Sequence, residues 1–266
     1  MLSTPKEGNS SDIPSSLTEI LRIDSFACGF KDQDFKLSIQ NLILYPGQII
    51  ALAGESGSGK SLLAHSIIQS VRKIPNIEQQ GEIWFKNCDL VSAQESRLQQ
   101  LRSKEIGLML QEPMQALNPL HSIGYQIEEA ITLHQGLKKS ALKQAVSKIG
   151  DIISLDINDP NMYNKLPHEL SGGQRQRALL GVAIANLPQI LIADEPTTAL
   201  DAHTQKAILA QLKKLQQHHS MAIVLVTHDL CMLKHFADYV YVMRQGSIIE
   251  HNTTQALFRY PQHPYT

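Results

Sequence analysis

The chain of 266 residues is 42% apolar and 18% charged, and its 24 Lys and Arg against 25 Asp and Glu leave a formal net charge of -1 at pH 7. That length supports one large domain, or a core with a subdomain, around a buried interior; the near-balanced charge disfavours a globally basic nucleic-acid binder. The richest apolar stretches, residues 179–185 and 222–226, fall far short of the roughly 20 residues that span a bilayer, so the polypeptide is not expected to cross a membrane by itself.

Residues 1–16 are rich in Ser, Pro, Asn and Gly and lack the basic start and apolar stretch of a secretory signal. They read as a disordered lead-in, with the tail placed at residues 1–18. From residue 21 to 53 short strands are expected: Ile23, Ser25 and Ala27 alternate with other neighbours, residues 36–44 alternate loosely, and Tyr45-Pro46-Gly47 is a turn before Ile49-Ile50-Ala51-Leu52-Ala53. Residues 61–71 then carry apolar side chains at helical intervals. Between about 92 and 185 the chain turns to helix-forming Leu, Gln, Glu, Lys and Ala, broken at Asn118-Pro119, Asp159-Pro160 and Leu166-Pro167, which predicts an inserted helical subdomain. Residues 190–193 and 222–226 are short apolar runs suited to strands buried on both faces of a parallel sheet. The helix between them places Ala207, Ile208, Leu212 and Leu215 on one side. Cys28, Cys88 and Cys231 stand far apart without metal-site spacing and read as reduced thiols of a cytosolic protein.

Three segments carry chemistry. Gly54-Glu55-Ser56-Gly57-Ser58-Gly59-Lys60-Ser61 fits G-x-x-x-x-G-K-[ST] between a strand and a helix, where glycines let backbone N–H groups and a helix N-terminus face phosphates. Lys60 would reach the β- and γ-phosphates and Ser61 would ligate Mg²⁺. Ile190-Leu191-Ile192-Ala193-Asp194-Glu195-Pro196 delivers two carboxylates at a strand's C-terminal end, where α/β sheets place ligand chemistry. Asp194 would hold Mg²⁺ through water and Glu195 would polarise the attacking water. Taken alone that pair reads as readily as a solvated acidic turn; beside a phosphate loop it does not. In Leu170-Ser171-Gly172-Gly173-Gln174-Arg175-Gln176-Arg177, Ser171 is a good N-cap and the glycines open the backbone, making a second helix N-terminus suited to an anion.

That third segment resembles the signature of ATP-binding cassette ATPases, and the resemblance covers nearly everything from about residue 21 to 266. It implies an α/β fold: a P-loop NTPase core with a mainly parallel sheet, an antiparallel β subdomain near the N-terminus and an inserted helical subdomain. The ATPase domain would occupy residues 19–252, and 253–266 would be a truncated C-terminal segment. It further implies ATP and Mg²⁺ as ligands, with Gly54, Ser56, Gly57, Ser58, Gly59, Lys60 and Ser61 on the phosphates, and Ser171, Gly172, Gly173 and Gln174 on the γ-phosphate held by a partner. Phe30 lies where the family places an aromatic against adenine. Gln111 resembles the glutamine that contacts Mg²⁺ and the transmembrane partner, Ala199-Leu200-Asp201 the loop that crosses the dimer interface, and His228 the histidine that contacts γ-phosphate. Lys60, Gln111, Glu195 and His228 are thereby the catalytic candidates, and Ser61, Gln111 and Asp194 the metal candidates.

Gln111-Glu112-Pro113-Met114-Gln115-Ala116-Leu117-Asn118-Pro119 resembles the stretch typical of ATPases serving dipeptide, oligopeptide and nickel importers, and Pro261-Gln262-His263-Pro264-Tyr265-Thr266 resembles their C-terminal signature, beyond which most relatives continue. The implied role is the ATP-hydrolysing subunit of a di- or oligopeptide importer, with a nickel or other metal-chelate importer as the alternative. Its partners would be a second cassette subunit, related or identical, two transmembrane permease subunits and, indirectly, an extracytoplasmic substrate-binding protein, at the cytoplasmic face of the plasma membrane. A soluble cassette ATPase acting on DNA or ribosomes is disfavoured by the absence of zinc spacing, coiled-coil insertion, tandem cassette and net positive charge. A small-molecule P-loop kinase lacks an evident second-substrate lid.

Overall fold

The computed structural model describes residues 18–31, 35–198 and 200–266; most of the expected tail and Ala199 lie outside them. Strands β1 (Leu21–Phe30) and β2 (Lys36–Leu44) lead to β3 (Ile49–Ala53) and, across the glycine-rich loop, to helix α1 (Lys60–Ile67). Short strands β4 (Ile77–Gly81), β5 (Trp84–Phe85) and β6 (Cys88–Asp89) follow, then α2 (Glu95–Leu101) and β7 (Ile106–Met109). The helical insert comprises α3 (Pro113–Ala116), α4 (Ile123–Thr132), α5 (Lys139–Ile153), α6 (Pro160–Tyr163) and α7 (Gly172–Ala183). The chain returns through β8 (Ile190–Asp194), α8 (Ala202–His219), β9 (Ala222–Thr227), α9 (Leu230–Leu233), β10 (Tyr239–Arg244), β11 (Ser247–Thr253) and α10 (Thr254–Arg259).

The strands form one sheet in the order β6-β5-β1-β2-β11-β10-β3-β9-β8-β7, with β4 also on β1. Strands β10, β3, β9, β8 and β7 are parallel neighbours, whereas β1 pairs antiparallel with β2, β4 and β5. Every residue of β3, β8 and β9 is buried, which is why these segments are unbroken apolar runs in the sequence. Successive residues feed opposite cores. Ile49, Ala51, Leu191, Ala193, Ile223 and Leu225 pack with the helical insert and α8, while Ile50, Leu52, Ile190, Ile192, Val224 and Val226 pack with α1 and the antiparallel strands. The continuous core on both faces fixes the strand ends, and so the loops that leave them.

Three local expectations change. The helix foreseen over 61–71 stops at Ile67, because Gln69 turns left-handed at φ 56° and Arg102 donates to the carbonyls of Ile68 (2.8 Å) and Gln69 (2.9 Å), satisfying groups that a longer helix would have used. In β1 the inward side chains are Leu21, Ile23, Phe26 and Cys28, with Ser25 exposed, so the alternation slips by one residue after Ile23. The slip faces Asn41 of β2, at φ 55°, a conformation asparagine adopts more readily than most residues. The stretch expected as helical over 92–185 contains β7, paired with β8 inside the core sheet, so the wholly helical part begins only at α3. At the other end, Thr253 still belongs to β11, and the expected C-terminal segment opens with α10.

Candidate functional site

The parallel strands β3, β8 and β9 deliver their following loops to one place. The loop after β3 turns on Gly54 (φ 152°), Gly57 (φ 81°) and Gly59 (φ 101°). A Cβ on Gly54 would lie 2.2 Å from the Met243 carbonyl oxygen and one on Gly59 3.0 Å from Leu37 and 3.2 Å from the Phe35 ring, so neither position admits a side chain without displacement. Helix α1 follows N-cap Gly59 with no side-chain cap among the described residues and no acid in its first turn, an arrangement that suits its leading N–H groups to an anion. Lys60 is only 4% exposed and curls back, its Nζ donating to the Gly54 (2.8 Å) and Glu55 (2.7 Å) carbonyls. Burial lowers the pKa of this ammonium, and the charges of Glu195 and Asp194 work against that shift.

The end of β8 closes on the same point. Ser61 Oγ donates to Asp194 Oδ1 at 3.1 Å, joining the loop to the first carboxylate across 133 positions of sequence. Burial raises the Asp194 pKa, the Ser61 hydrogen bond opposing it, so this buried carboxylate lacks a full counter-charge. Glu195 leaves the strand at φ 45°, costing on the order of 1–3 kcal/mol, and is held there by its amide donating to the Val226 carbonyl at 3.0 Å. Its carboxylate is oriented from three sides. Gln111 Nε2 and Thr198 Oγ1 donate to Oε2, each at 2.9 Å, and His228 Nδ1 lies 3.0 Å from Oε1. Burial alone would raise the Glu195 pKa, but the hydrogen bonds from His228 and Thr198 outweigh it and hold the carboxyl below the usual glutamate range.

Ser171 caps α7 reciprocally: its Oγ accepts from the Gln174 amide (3.3 Å) and its own amide donates to Gln174 Oε1 (3.0 Å). Gly173 lies against α8, where a Cβ would come 2.7 Å from Thr204 Cγ2. Asp201 is spent on capping α8, accepting from the amides of His203 and Thr204 at 3.0 and 2.9 Å. No hydrogen bond among the described residues joins residues 171–174 to the phosphate loop. Phe30 ends β1 half-buried, opposite Ile77 of β4.

The structure thus brings together Lys60, Ser61, Asp194, Glu195, Gln111 and His228, and places the start of the Ser171 helix beside α8, which Asp201 caps. Two contributors were not foreseen. Thr198 stands three residues after Glu195 in a turn, a spacing the sequence displays. Gln176, buried within the quoted signature, donates to the Pro196 carbonyl at 2.6 Å and ties α7 to the loop that carries Glu195.

A parallel sheet, a phosphate loop and paired carboxylates at the strand ends define a nucleotide-binding P-loop protein. The family model described as ABC transporter matches residues 37–198. The chain is 38% identical over 253 residues to the oligopeptide transport ATP-binding protein OppD of Bacillus subtilis, covering 94% of this chain and 70% of that protein. It is 37% identical over 251 residues to the dipeptide transport ATP-binding protein DppD of Escherichia coli, covering 93% and 76%. With the peptidoglycan transport ATP-binding protein YejF of Agrobacterium fabrum it shares 43% over 224 residues, 84% of this chain but only 41% of that longer protein. Among solved structures, cbiO1 from Clostridium perfringens, part of the ABC transporter complex cbiONQ, superposes with a TM-score of 0.78 at 24% identity, over 91% of each chain. A dimeric ATP-binding cassette, MJ0796, in a post-hydrolysis state with ADP and Pi gives 0.75 at 24% identity, over 88% of this chain and 98% of that one. The chain belongs to the ABC transporter family, and its fold is that of the family's ATP-binding cassette.

Proposed function

We propose that the chain binds and hydrolyses ATP as the energising subunit of an importer for di- or oligopeptides. The observation that carries the reading is the Ser61–Asp194 contact at 3.1 Å, which sets a phosphate-binding loop and two carboxylates within one site. The N-terminus of α1 and the loop amides bind phosphate oxygens, and Lys60, already surrounded by acceptors, transfers its donors to them. The Ser61 hydroxyl and the under-compensated Asp194 carboxylate are hard oxygen donors that fit Mg²⁺, and the Gln111 amide oxygen is left over while its nitrogen serves Glu195. Bound Mg²⁺ would supply charge neutralisation on the phosphates. Glu195, ionised and fixed by Gln111, Thr198 and His228, orients a water and accepts its proton as the water oxygen bonds to the γ-phosphorus and the bond from that phosphorus to the β,γ-bridging oxygen breaks, releasing ADP and phosphate.

The Ser171 helix start, which no hydrogen bond among the described residues joins to the chain's own phosphate loop, would cover the nucleotide of a second cassette, identical or related, so that each site is shared. No helix among the described residues is long and apolar enough to cross a membrane, and the reading supplies that span through two permease subunits bound at the cytoplasmic face. Exposed Met114 lies within the stretch that resembles importer ATPases, exposed Leu120 and Tyr125 follow it, and the three would offer apolar surface for such a contact. The peptide cargo is favoured over a metal chelate because oligopeptide and dipeptide transport proteins are among the relatives, and cargo selection itself would fall to the permeases and a substrate-binding protein. Purification of the tagged chain from detergent-solubilised membranes of its host tests this. Recovery with two integral membrane proteins, and uptake of labelled peptide that depends on the chain, is expected. Recovery only with ribosomes or DNA, or uptake of nickel in place of peptide, would overturn the corresponding part.

A further inference from the structure

We propose that the C-terminal turn holds the phosphate loop in its anion-binding shape through the Tyr265 hydroxyl, making Tyr265 a positioning residue for nucleotide. The Glu55 amide donates to Tyr265 Oη at 3.0 Å, between residues 210 positions apart. That N–H belongs to the same planar peptide unit as the Gly54 carbonyl, which accepts from Lys60 Nζ at 2.8 Å. Fixing one end of the plane fixes the other. A rotation of this unit, which glycine at φ 152° permits, would carry the carbonyl away from the lysine. Tyr265 therefore governs where the Lys60 ammonium rests without reaching the helix N-terminus that faces the anion.

The tyrosine is itself braced. The Arg244 guanidinium lies over its ring, 5.0 Å from the centroid, and its amide donates to His263 Nδ1 at 3.1 Å. Glu250 on β11 accepts the amides of Gln262 (2.7 Å) and His263 (3.1 Å), clamping the turn to the sheet. From the same side, the Gly246 amide donates to the Ser58 carbonyl at 3.0 Å, and the Met243 carbonyl fills the space a side chain at Gly54 would need. The loop is thus seated on a wall built from β10, the turn into β11 and the last residues of the chain.

This inference rests on the loop being a nucleotide site, and the test separates the two. Tyr265→Phe removes only the hydroxyl. Calorimetric titration of the full chain with ATP is expected to show affinity about three- to tenfold weaker, as loss of one hydrogen bond allows. Amide exchange at residues 54–58 should accelerate while the thermal midpoint holds. Arg244→Ala should act in the same direction, more weakly. Unaltered affinity in Tyr265→Phe beside a wild type that binds ATP overturns the inference alone, as does a loss of affinity that tracks a fall in thermal midpoint. A wild type that takes up no ATP overturns the nucleotide reading and the inference with it.

Discussion

At the scale of single residues, the site is a set of side chains each committed to a neighbour. Glu195 illustrates the point: a carboxylate with a left-handed backbone and three side-chain partners has one orientation, set by Gln111, Thr198 and His228. His228 holds the Oε1 oxygen alone, and its own ring is about half exposed, so truncating it removes an orienting contact with little loss of packing. His228→Ala should lower kcat by roughly 10²-fold, the scale on which a misplaced catalytic group acts, with a smaller change in KM for ATP, as read by phosphate release. An unchanged kcat would remove His228 from the orienting set. Glu195 was legible in the sequence because it sits in a carboxylate pair at a strand end, Gln111 and His228 were assigned only through the family resemblance, and Thr198 was missed. The Tyr265–Glu55 bond was not legible either, since no local pattern reports a partner 210 positions away.

At the scale of elements, sequence periodicity located β3, β8, β9 and α8 well, because each is decided by burial of its own apolar residues. It misjudged α1 and β1, whose outcomes are decided elsewhere: α1 ends where Arg102, from beyond α2, satisfies its carbonyls, and β1 slips register opposite Asn41. The helical insert is assembled by close approaches that composition does not reveal. Tyr163 lies across Gly124 of α4, where a Cβ would be 2.1 Å from the ring, and its hydroxyl donates to Glu128 Oε2 at 2.6 Å. Burial and the Glu128 carboxylate push that hydroxyl up to about 12, so it remains a donor across the neutral range. Gly124→Ala should therefore cost about 1–3 kcal/mol through overpacking, measured as a lowered denaturant midpoint. Stability equal to wild type would show that Tyr163 can move aside.

At the scale of the whole molecule, one sheet serves two cores, and the loops at the C-terminal ends of its parallel strands meet where the cores meet. The α/β class and the inserted helices were readable in advance from the order of apolar runs and the composition, whereas the antiparallel pairing near the N-terminus came only from the family resemblance. The passage of β7 through the supposedly helical stretch was not, because four residues carry too little periodicity to distinguish a strand from a helical turn. The cap of the signature helix is complete, and no hydrogen bond among the described residues joins its start to the phosphate loop.

The central claim is that ATP is hydrolysed here with Glu195 as the base. Phosphate release under steady-state conditions, by the wild-type chain and by Glu195→Gln assembled with the same partners, tests it most directly. The account predicts that the variant retains ATP binding while its turnover falls by about 10²-fold or more; turnover undiminished in Glu195→Gln would contradict it.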